Sequence, residues 1–314
     1  MKRAVIFAGQ GAQAVGMARD LAAAYPECRA LFEKADAALG FSLSRVCFEG
    51  PIEELTRSSR CQPALFVASL ACYSALRREM PALAVDVMAG LSLGEWTALH
   101  AAGAIGFEDA LRVLEARGRF MQEACDAQAG GMVSVIGLPV EELRKICAAT
   151  GVDVANHNSP EQTVLSGPRQ AIEAAEKQAA AAGAKRIVVL NVAGAFHSRL
   201  MAPAAERLKP LLAGVPIRPT TVPVVSNVTG RPHGGPEEIR QGMLRQIVSP
   251  VQWVSSVEWL RGQGVREYVE CGPGRVLSGL IKRIDKDAVT HTIQDHVSLG
   301  KAAEALRSEG RQAA

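Results

Sequence analysis

The segment Gly-Leu-Ser-Leu-Gly at positions 90–94 constrains the fold of this chain more than any other part of the sequence. It lies between an apolar run at 85–89 and a helix-compatible segment at 95–99. A serine at a sharp strand-to-helix turn leaves no space for side chains two positions before and after it, so both flanking positions need glycine. Such a turn lifts the hydroxyl of Ser92 out of the sheet and leaves backbone N–H groups free at the helix start. The pattern predicts a strand, a nucleophile elbow and a helix; the alternative is an ordinary turn with a capping serine.

The composition predicts a soluble globular protein without membrane segments. With 314 residues, of which 48% are hydrophobic, the chain can bury a large core as one large domain or two smaller ones. The N-terminal apolar run stops at Gly9, which favours a first strand over a signal peptide, and no stretch reaches the about 18 apolar residues that a membrane span requires. Seven cysteines without a Cys-x-x-Cys pair indicate buried thiols in a reducing cytoplasm. A net charge of +3 and 4% aromatic residues argue against nucleic-acid binding.

Strand-like and helical patterns alternate along most of the chain, which predicts α/β layering with a parallel sheet. The predicted strands of this layer are at 3–8, 85–89, 222–226 and 265–270, and the predicted helices are at 17–25, 62–78, 108–124 and 275–284. Between 132 and 191 the order changes to β-α-β-β-α-β, the ferredoxin-like arrangement. We therefore expect a large α/β-hydrolase-like catalytic domain, formed by 1–127 and 197–314, with a ferredoxin-like subdomain at 128–196 inserted into it. Ser298 is the predicted N-cap of a last helix, and the tail after Gly310 is predicted to fray.

The glycine-rich segment at 9–14 imitates a dinucleotide-binding fingerprint. It follows the first predicted strand and matches a relaxed Gly-x-Gly-x-x-Ala pattern. A nucleotide site needs a second strand ending in Asp or Glu about 20 residues later, whereas 31–39 has helical periodicity. We therefore interpret the loop as a close approach of the backbone to another group, such as an acyl oxygen beside Ser92. A nucleotide-binding or non-catalytic scaffold protein remains the alternative, and it predicts no serine-linked acyl intermediate.

An arginine occupies the apolar face of the predicted helix at 108–124. On a helical wheel, Arg117 lies in the middle of a stripe of Ala, Val, Leu and Met side chains, opposite Arg112 and Arg119. A guanidinium directed at an apolar interior stays charged and needs an anion. An internal Arg–carboxylate pair or a snorkelling side chain would satisfy it. Beside a catalytic serine, the pattern instead indicates a bidentate clamp on a substrate carboxylate.

His197 is the candidate general base among the six histidines. It follows a predicted strand within a glycine-containing loop, just after the inserted subdomain. A serine hydroxyl becomes a nucleophile only when an adjacent base takes its proton, and that base normally needs a third group to hold its tautomer. No acid between Ser92 and His197 stands out for this role. His291 and His296 lack a third ligand, so no metal site is expected.

Several short motifs occur in a characteristic order over nearly the whole chain. They are Gly-Gln-Gly-Ala-Gln at 9–13, Gly-Leu-Ser-Leu-Gly-Glu at 90–95, Arg-Gly at 117–118, Gly-Ala-Phe-His at 194–197, Gln-Ile-Val-Ser-Pro-Val at 246–251 and Glu-Cys-Gly-Pro-Gly at 270–274. Each motif alone is weak, but the ordered set is specific. It resembles the malonyl-CoA:acyl carrier protein transacylase family.

The resemblance implies a ping-pong acyl transfer. Ser92 would attack malonyl-CoA, release coenzyme A and pass the malonyl group to the phosphopantetheine thiol of acyl carrier protein. His197 would act as general base and then as general acid, oriented by the backbone carbonyl of Gln246. The backbone N–H groups of Gln10 and Leu93 would form the oxyanion hole.

The resemblance also implies how the substrate is recognised. Arg117 would bind the malonyl carboxylate, and the bulk of Phe196 would disfavour α-branched acyl groups. No cofactor is implied, because coenzyme A enters as the thioester substrate. The expected partners are malonyl-CoA and acyl carrier protein. The protein itself is expected to be a cytoplasmic monomer that contacts neither nucleic acid nor membrane.

Three positions depart from the family pattern. Leu91 stands where the family usually has histidine before the nucleophile, Ala8 replaces a common proline, and Ala12 replaces a common serine. Because Ser92 and its glycines are intact, we expect Leu91 to alter packing or acyl-site polarity and not to remove the chemistry. An acyl-thioester hydrolase of the same fold remains the alternative, although Arg117 would handicap neutral acyl chains. Both fatty-acid and polyketide pathways fit the sequence.

Overall fold

A computed structural model describes residues 2–312, with side chains described as far as Ser308. The helices are α1 Arg19–Ala24, α2 Pro26–Leu39, α3 Leu43–Glu49, α4 Ile52–Thr56, α5 Ser58–Glu79, α6 Leu93–Ala101, α7 Phe107–Ala127, α8 Val140–Thr150, α9 Arg169–Ala181, α10 Ala202–Ala213, α11 Pro236–Gln246, α12 Trp253–Gly262, α13 Val276–Ile284 and α14 His296–Gln312. The strands are β1 Lys2–Phe7, β2 Val87–Gly90, β3 Gly130–Ile136, β4 Asp153–Ser159, β5 Gln162–Pro168, β6 Arg186–Val189, β7 Val265–Cys271 and β8 Val289–Ile293.

The larger sheet contains four parallel strands in the order β2-β1-β7-β8. Its central strand β1 is buried on both faces, because Ala4 and Ile6 pack into one apolar cluster while Val5 and Phe7 pack into another. Helices cover both faces of a parallel sheet, which is why such strands read as continuous apolar runs. The predicted parallel α/β layer is confirmed. Strand β2 ends at Gly90, directly before the predicted elbow.

The second sheet is antiparallel, with the strand order β4-β5-β3-β6. Its four strands and the helices α8 and α9 follow one another as β-α-β-β-α-β, so the predicted ferredoxin-like arrangement is confirmed. The two helices bury one apolar face each against the sheet, around Leu143 and Ile172. The opposite face of the sheet is turned toward the larger sheet and contributes Met132 and Val164 to the wall of a cavity between them.

The prediction of a strand at 222–226 is wrong. Only isolated bridges occur there, joining Val224 to Met88 and Val225 to Pro232. Pro223 lies inside the segment, and a proline has no N–H to donate to a strand ladder. The segment therefore runs beside β2 as irregular backbone and leads into the loop that contains Asn227.

The N-cap predicted for the last helix is also wrong, since α14 begins at His296 and the capping residue is Asp295. The Asp295 carboxylate accepts the backbone N–H of Ser298 at 2.7 Å, and the Ser298 hydroxyl accepts the Asp295 N–H at 3.1 Å. These reciprocal bonds form a capping box in which Ser298 is the third helical residue. The helix extends to Gln312. The tail predicted to fray begins after Gly310, and its last residues, 313–314, lie outside the described range.

All seven cysteines are buried and none forms a disulfide. Burial raises the pKa of Cys125 to about 11 and that of Cys61 to about 12, so both remain thiols at neutral pH. Their role in the core is that of small apolar side chains. Within residues 2–312, no helix is both long enough and apolar enough to cross a bilayer.

Candidate active site

Ser92 lies between the end of β2 and the first residue of α6, in a backbone conformation that L-residues rarely adopt, with φ 54° and ψ −101°. The two glycines of the pentapeptide are sterically required. A Cβ atom at Gly90 would lie 2.1 Å from the carbonyl carbon of Gly94, and one at Gly94 would lie 2.1 Å from the carbonyl oxygen of Phe7. The strand, the strained serine and the helix start together have the geometry of a nucleophile elbow.

His197 meets the serine through its ring. Its Nε2 lies 2.9 Å from the Ser92 Oγ, while its Nδ1 lies 2.9 Å from the carbonyl oxygen of Gln246 and 3.2 Å from that of Ser249. Because both carbonyls can only accept, Nδ1 carries the ring proton and Nε2 is left as the acceptor for the serine hydroxyl. Two backbone carbonyls therefore orient His197, and they take the place of the acid that the sequence does not show.

Burial and, second to it, the positive charge of Arg117 lower the pKa of His197 to about 4, against the opposing effect of the hydrogen bonds to the carbonyls of Gln246 and Ser249. The imidazole is therefore neutral at physiological pH. A neutral imidazole with a free Nε2 lone pair can take the proton of Ser92 directly.

Arg117 is 1% exposed and points its guanidinium at the same serine. Its Nη1 donates to the Gln62 Oε1 at 2.7 Å, and its Nη2 donates to the Gln246 Oε1 at 3.1 Å and to the Ser92 Oγ at 3.2 Å. Burial lowers the pKa of Arg117 to about 10, so it is still a cation at neutral pH. Among the described residues no carboxylate forms an ion pair with it, and its Nε has no hydrogen-bond partner. A buried cation held only by neutral groups has capacity left for an anion.

Close packing between α5 and α7 positions this arginine. A Cβ atom at Gly118 would lie 2.2 Å from the carbonyl oxygen of Ser58, so glycine is needed where α7 meets the start of α5. This approach brings Arg117 within reach of Gln62, one turn into α5. The exposed face of α7 carries Arg112 and Arg119, as the helical wheel predicts.

A cavity of about 520 Å³ opens in front of these side chains. Five of the predicted site residues line it together: Gln10, Ser92, Arg117, Phe196 and His197. Gln246 lies behind the cavity wall, fully buried, and Leu93 is buried at the first position of α6. Leu91 also lines the cavity, and a Cβ atom at Gly9 would lie 2.6 Å from its carbonyl oxygen, so the 9–14 loop does approach the elbow closely.

The backbone N–H groups of Gln10 and Leu93 have no hydrogen-bond partner among the described residues. The N–H of Ser92, in contrast, donates to the Asn227 Oδ1 at 2.5 Å. Free N–H groups beside a nucleophile and at a helix start are available to a developing oxyanion.

His291 and His296, for which no metal site is expected, have other partners. The Nε2 of His291 lies 3.1 Å from the Glu267 carboxylate, and the ring of His296 packs against Tyr25. No group of three or more His, Cys, Asp or Glu side chains with the geometry of a metal site occurs in the described part of the chain.

The sequence analysis assigned no role to four polar residues of this site whose side chains are buried: Gln62, Glu95, Asn227 and His233. Gln62 could have been found, since it is a polar residue on the apolar face of a predicted helix. Asn227 and His233 lie in a loop without periodicity, so no local pattern marks them.

Comparison with known proteins shows the family of this chain. Residues 5–303 match the family model described as an acyl transferase domain. The malonyl CoA-acyl carrier protein transacylase of Escherichia coli (strain K12) is 43% identical over 305 residues, which cover 96% of this chain and 98% of that protein. The chain belongs to the malonyl-CoA:acyl carrier protein transacylase family. The resemblance seen in the ordered motifs is thereby confirmed.

Solved structures of family members superpose closely on this chain. An acyl carrier protein S-malonyltransferase from Vibrio cholerae O1 biovar eltor has a TM-score of 0.93 and 40% identity, covering 96% of this chain and 100% of its own. A malonyl-transacylase in complex with its holo type II PKS acyl-carrier protein has a TM-score of 0.93 and 40% identity, covering 97% and 100%. The fold described above is therefore the fold of the family.

Proposed function

We propose that this protein transfers the malonyl group from malonyl-CoA to the phosphopantetheine thiol of acyl carrier protein through a malonyl-Ser92 intermediate. The observation that carries the proposal is a fully buried, still cationic Arg117 whose Nη2 lies 3.2 Å from the hydroxyl of a base-activated serine. A neutral acyl group has no anion that could bind this cation, whereas a malonyl group has a carboxylate that pairs with it.

In the first half-reaction the Ser92 Oγ attacks the thioester carbonyl while the Nε2 of His197 takes the hydroxyl proton. The carbonyl oxygen becomes an oxyanion facing the N–H groups of Gln10 and Leu93. When it collapses, the C–S bond breaks and His197 returns the proton to the leaving sulfur of coenzyme A. The malonyl group is left as an ester on Ser92.

The second half-reaction runs the same steps with a different thiol. The phosphopantetheine thiol gives its proton to His197 and attacks the ester carbonyl. The C–O bond to Ser92 breaks, and His197 protonates the serine oxygen. One histidine thus acts as base and then as acid in each half-reaction.

Substrate selection follows from two side chains in the cavity. Arg117 presents two N–H groups to the malonyl carboxylate, and its present partners Gln62 and Gln246 are neutral amides that compete weakly with a carboxylate. Phe196 lines the same cavity and is 8% exposed, so its ring limits the space beside the acyl α-carbon.

We also infer the wider setting of the reaction. The two sheets support a boundary that places 128–196 in an inserted subdomain and 1–127 with 197–314 in the catalytic domain. Coenzyme A is substrate, so the proposed chemistry uses no resident cofactor. The buried reduced thiols support a cytoplasmic location, and we expect the chain to act as a monomer.

The proposed transfer is tested by product analysis. With radiolabelled malonyl-CoA and phosphopantetheinylated acyl carrier protein, we expect most of the label to appear on the carrier protein. Without the carrier protein, we expect a labelled enzyme and little release of malonate. Free malonate as the main product in both reactions would show a hydrolase, and an unlabelled enzyme would favour the scaffold alternative.

The pKa of His197 predicts an unusual pH profile. Because the general base must be neutral and its pKa is lowered to about 4 from the ordinary 6.5, the kcat/KM of malonyl-serine formation should stay constant down to about pH 5 and fall as the pH drops through 4. A bound malonyl carboxylate neutralises Arg117, so the acid limb of kcat should lie at higher pH than that of kcat/KM. Rapid-quench measurement of the acyl-enzyme across pH checks both limbs, and a kcat/KM limb centred near 6.5 would contradict the assignment.

A further inference from the structure

Glu95 is a buried carboxylate that the mechanism above does not use. It lies in the first turn of α6, three residues after Ser92, and is 0% exposed. Its Oε1 lies 2.6 Å from the Nε2 of His233, and its Oε2 accepts the Gln246 Nε2 at 2.6 Å and the Asn227 N–H at 3.0 Å. A carboxylate withdrawn this completely from water persists only where its partners are held in place.

The first consequence concerns the side-chain amide of Gln246. A carboxylate only accepts hydrogen bonds, so the NH2 end of this amide must face Glu95. The oxygen end is thereby left facing the Nη2 of Arg117, at 3.1 Å. Without the carboxylate this orientation keeps only one acceptor for the NH2 group, the Ser92 carbonyl oxygen at 2.9 Å. A turned amide, which would meet the guanidinium donor to donor, then costs less free energy than in the wild type.

The second consequence concerns the nucleophile and its base. The Nε2 of Gln246 also donates to the carbonyl oxygen of Ser92 at 2.9 Å, and its backbone carbonyl accepts the Nδ1–H of His197. Asn227, whose N–H is held by Glu95, accepts the Ser92 N–H and donates to the Gly90 carbonyl at 2.7 Å. Gln246 and Asn227, which both contact the elbow from behind, are therefore bonded to one carboxylate. Ser92 and His197 also have contacts that do not involve it, with the Asn227 side chain and with the backbone carbonyls of Gln246 and Ser249.

The third consequence concerns charge. Glu95 raises the pKa of Arg117 against the opposing effect of burial, yet one neutral amide separates the two charges. Direct contact would occupy the guanidinium and exclude a substrate carboxylate. The charged or titratable groups facing Arg117 are Glu95 behind Gln246 and His197 across Ser92. His233 closes the far side of Glu95, with a side chain that is 3% exposed.

We propose that Glu95, held by His233, is the positioning residue of this active site: through the Gln246 amide it aims Arg117 at the malonyl carboxylate without occupying it. The proposal rests on the role of Arg117 in the function proposed above. It assigns Glu95 to selectivity for malonyl over neutral acyl groups and not to the chemical step itself.

The test compares malonyl and acetyl transfer in Glu95→Gln. This variant keeps the shape and a hydrogen-bonding end but loses the charge that faces the NH2 group of Gln246. We expect kcat/KM for malonyl transfer to fall about 10- to 100-fold, the range for a hydrogen bond to a charged group, and acetyl transfer to fall a few-fold at most. The alkaline limb of malonyl transfer should also move to lower pH, because Arg117 loses the charge that keeps it protonated.

Two further variants separate positioning from packing. Glu95→Asp keeps the charge and should recover much of the malonyl selectivity. Glu270→Gln is the matched control, because Glu270 is equally buried but accepts the N–H groups of Leu277 and Ser278, which belong neither to the elbow nor to Gln246 or Asn227. It should leave the malonyl-to-acetyl ratio unchanged, even where the midpoint of urea unfolding falls.

An unchanged malonyl-to-acetyl ratio in Glu95→Gln, whether both transfers fall equally or neither falls, would overturn the proposal. If that variant does not fold, the ratio in His233→Leu decides, since this change frees the Oε1 side of the carboxylate; a wild-type ratio there would overturn it as well. A wild-type enzyme that transfers no malonyl group would instead refute the function, so the two failures are distinguishable.

Discussion

Replacing Ser92 with alanine is expected to abolish the malonyl-enzyme and to lower kcat for transfer by about 10⁵- to 10⁶-fold, the scale seen when the serine of a catalytic unit is removed. The reason is that the proposed transfer has no step without the Oγ atom. The Ser92 Oγ lies 2.9 Å from the Nε2 of His197 and 3.2 Å from the Nη2 of Arg117. It is the nucleophile that the proposed mechanism places between the base and the arginine. Intact-mass measurement after mixing with malonyl-CoA is the most direct check.

A matched control for this variant exists in the core. Ser69 is fully buried in α5, and its hydroxyl has no hydrogen-bond partner among the described residues. Ser69→Ala removes the same atom from a comparably buried site and should retain the malonyl adduct. An adduct of undiminished amount in Ser92→Ala would show that another group is acylated and would refute the elbow as the catalytic centre.

Replacing Arg117 with alanine is expected to lower kcat/KM for malonyl transfer by about 10²- to 10³-fold, as for the loss of one partner of a buried charge pair. Acetyl transfer should fall much less, because an acetyl group has no carboxylate to bind. The acid limb of His197 should also move to higher pH, since the positive charge of Arg117 is one of the two causes that lower its pKa. Parallel assays with malonyl-CoA and acetyl-CoA, each over a pH range, measure both effects.

Two companion variants define what the guanidinium contributes. Arg117→Lys keeps a charge but cannot present two parallel N–H groups, so malonyl transfer should be intermediate. Arg119→Ala removes a solvent-exposed arginine from the opposite face of the same helix and should leave both activities near wild type. Equal losses of malonyl and acetyl transfer in Arg117→Ala would mean that this side chain is structural.

The parts of the site that were predictable are those with a local signature. The turn at Ser92 is closed by backbone segments that leave no space for a Cβ atom at Gly90 or Gly94, so the glycines occur at a fixed spacing around the serine. Arg117 is recognisable because helical periodicity places a charge on a buried face. The ferredoxin-like sheet followed from alternating strand and helix patterns of ordinary length. The strand expected at 222–226 failed for an equally local reason, since Pro223 lies within it.

The remainder of the site is non-local. The Nδ1 of His197 lies against the carbonyl oxygen of Gln246, and a backbone carbonyl is chemically the same at every position, so only the family resemblance and no residue type indicates it. His233 and Asn227 reach Glu95 from a loop more than a hundred positions away in the chain. Nothing in their immediate neighbours predicts that contact.

Sequence alone therefore determined three features: a serine at a strand-to-helix turn, a cation on the buried face of a helix, and the family whose motifs occur in this order. Only the tertiary structure decided how these groups are held. The neutral amides of Gln62 and Gln246 that hold Arg117, and the carboxylate of Glu95 behind them, come from separate segments. Their effect depends on distances of about 3 Å that chain folding alone creates.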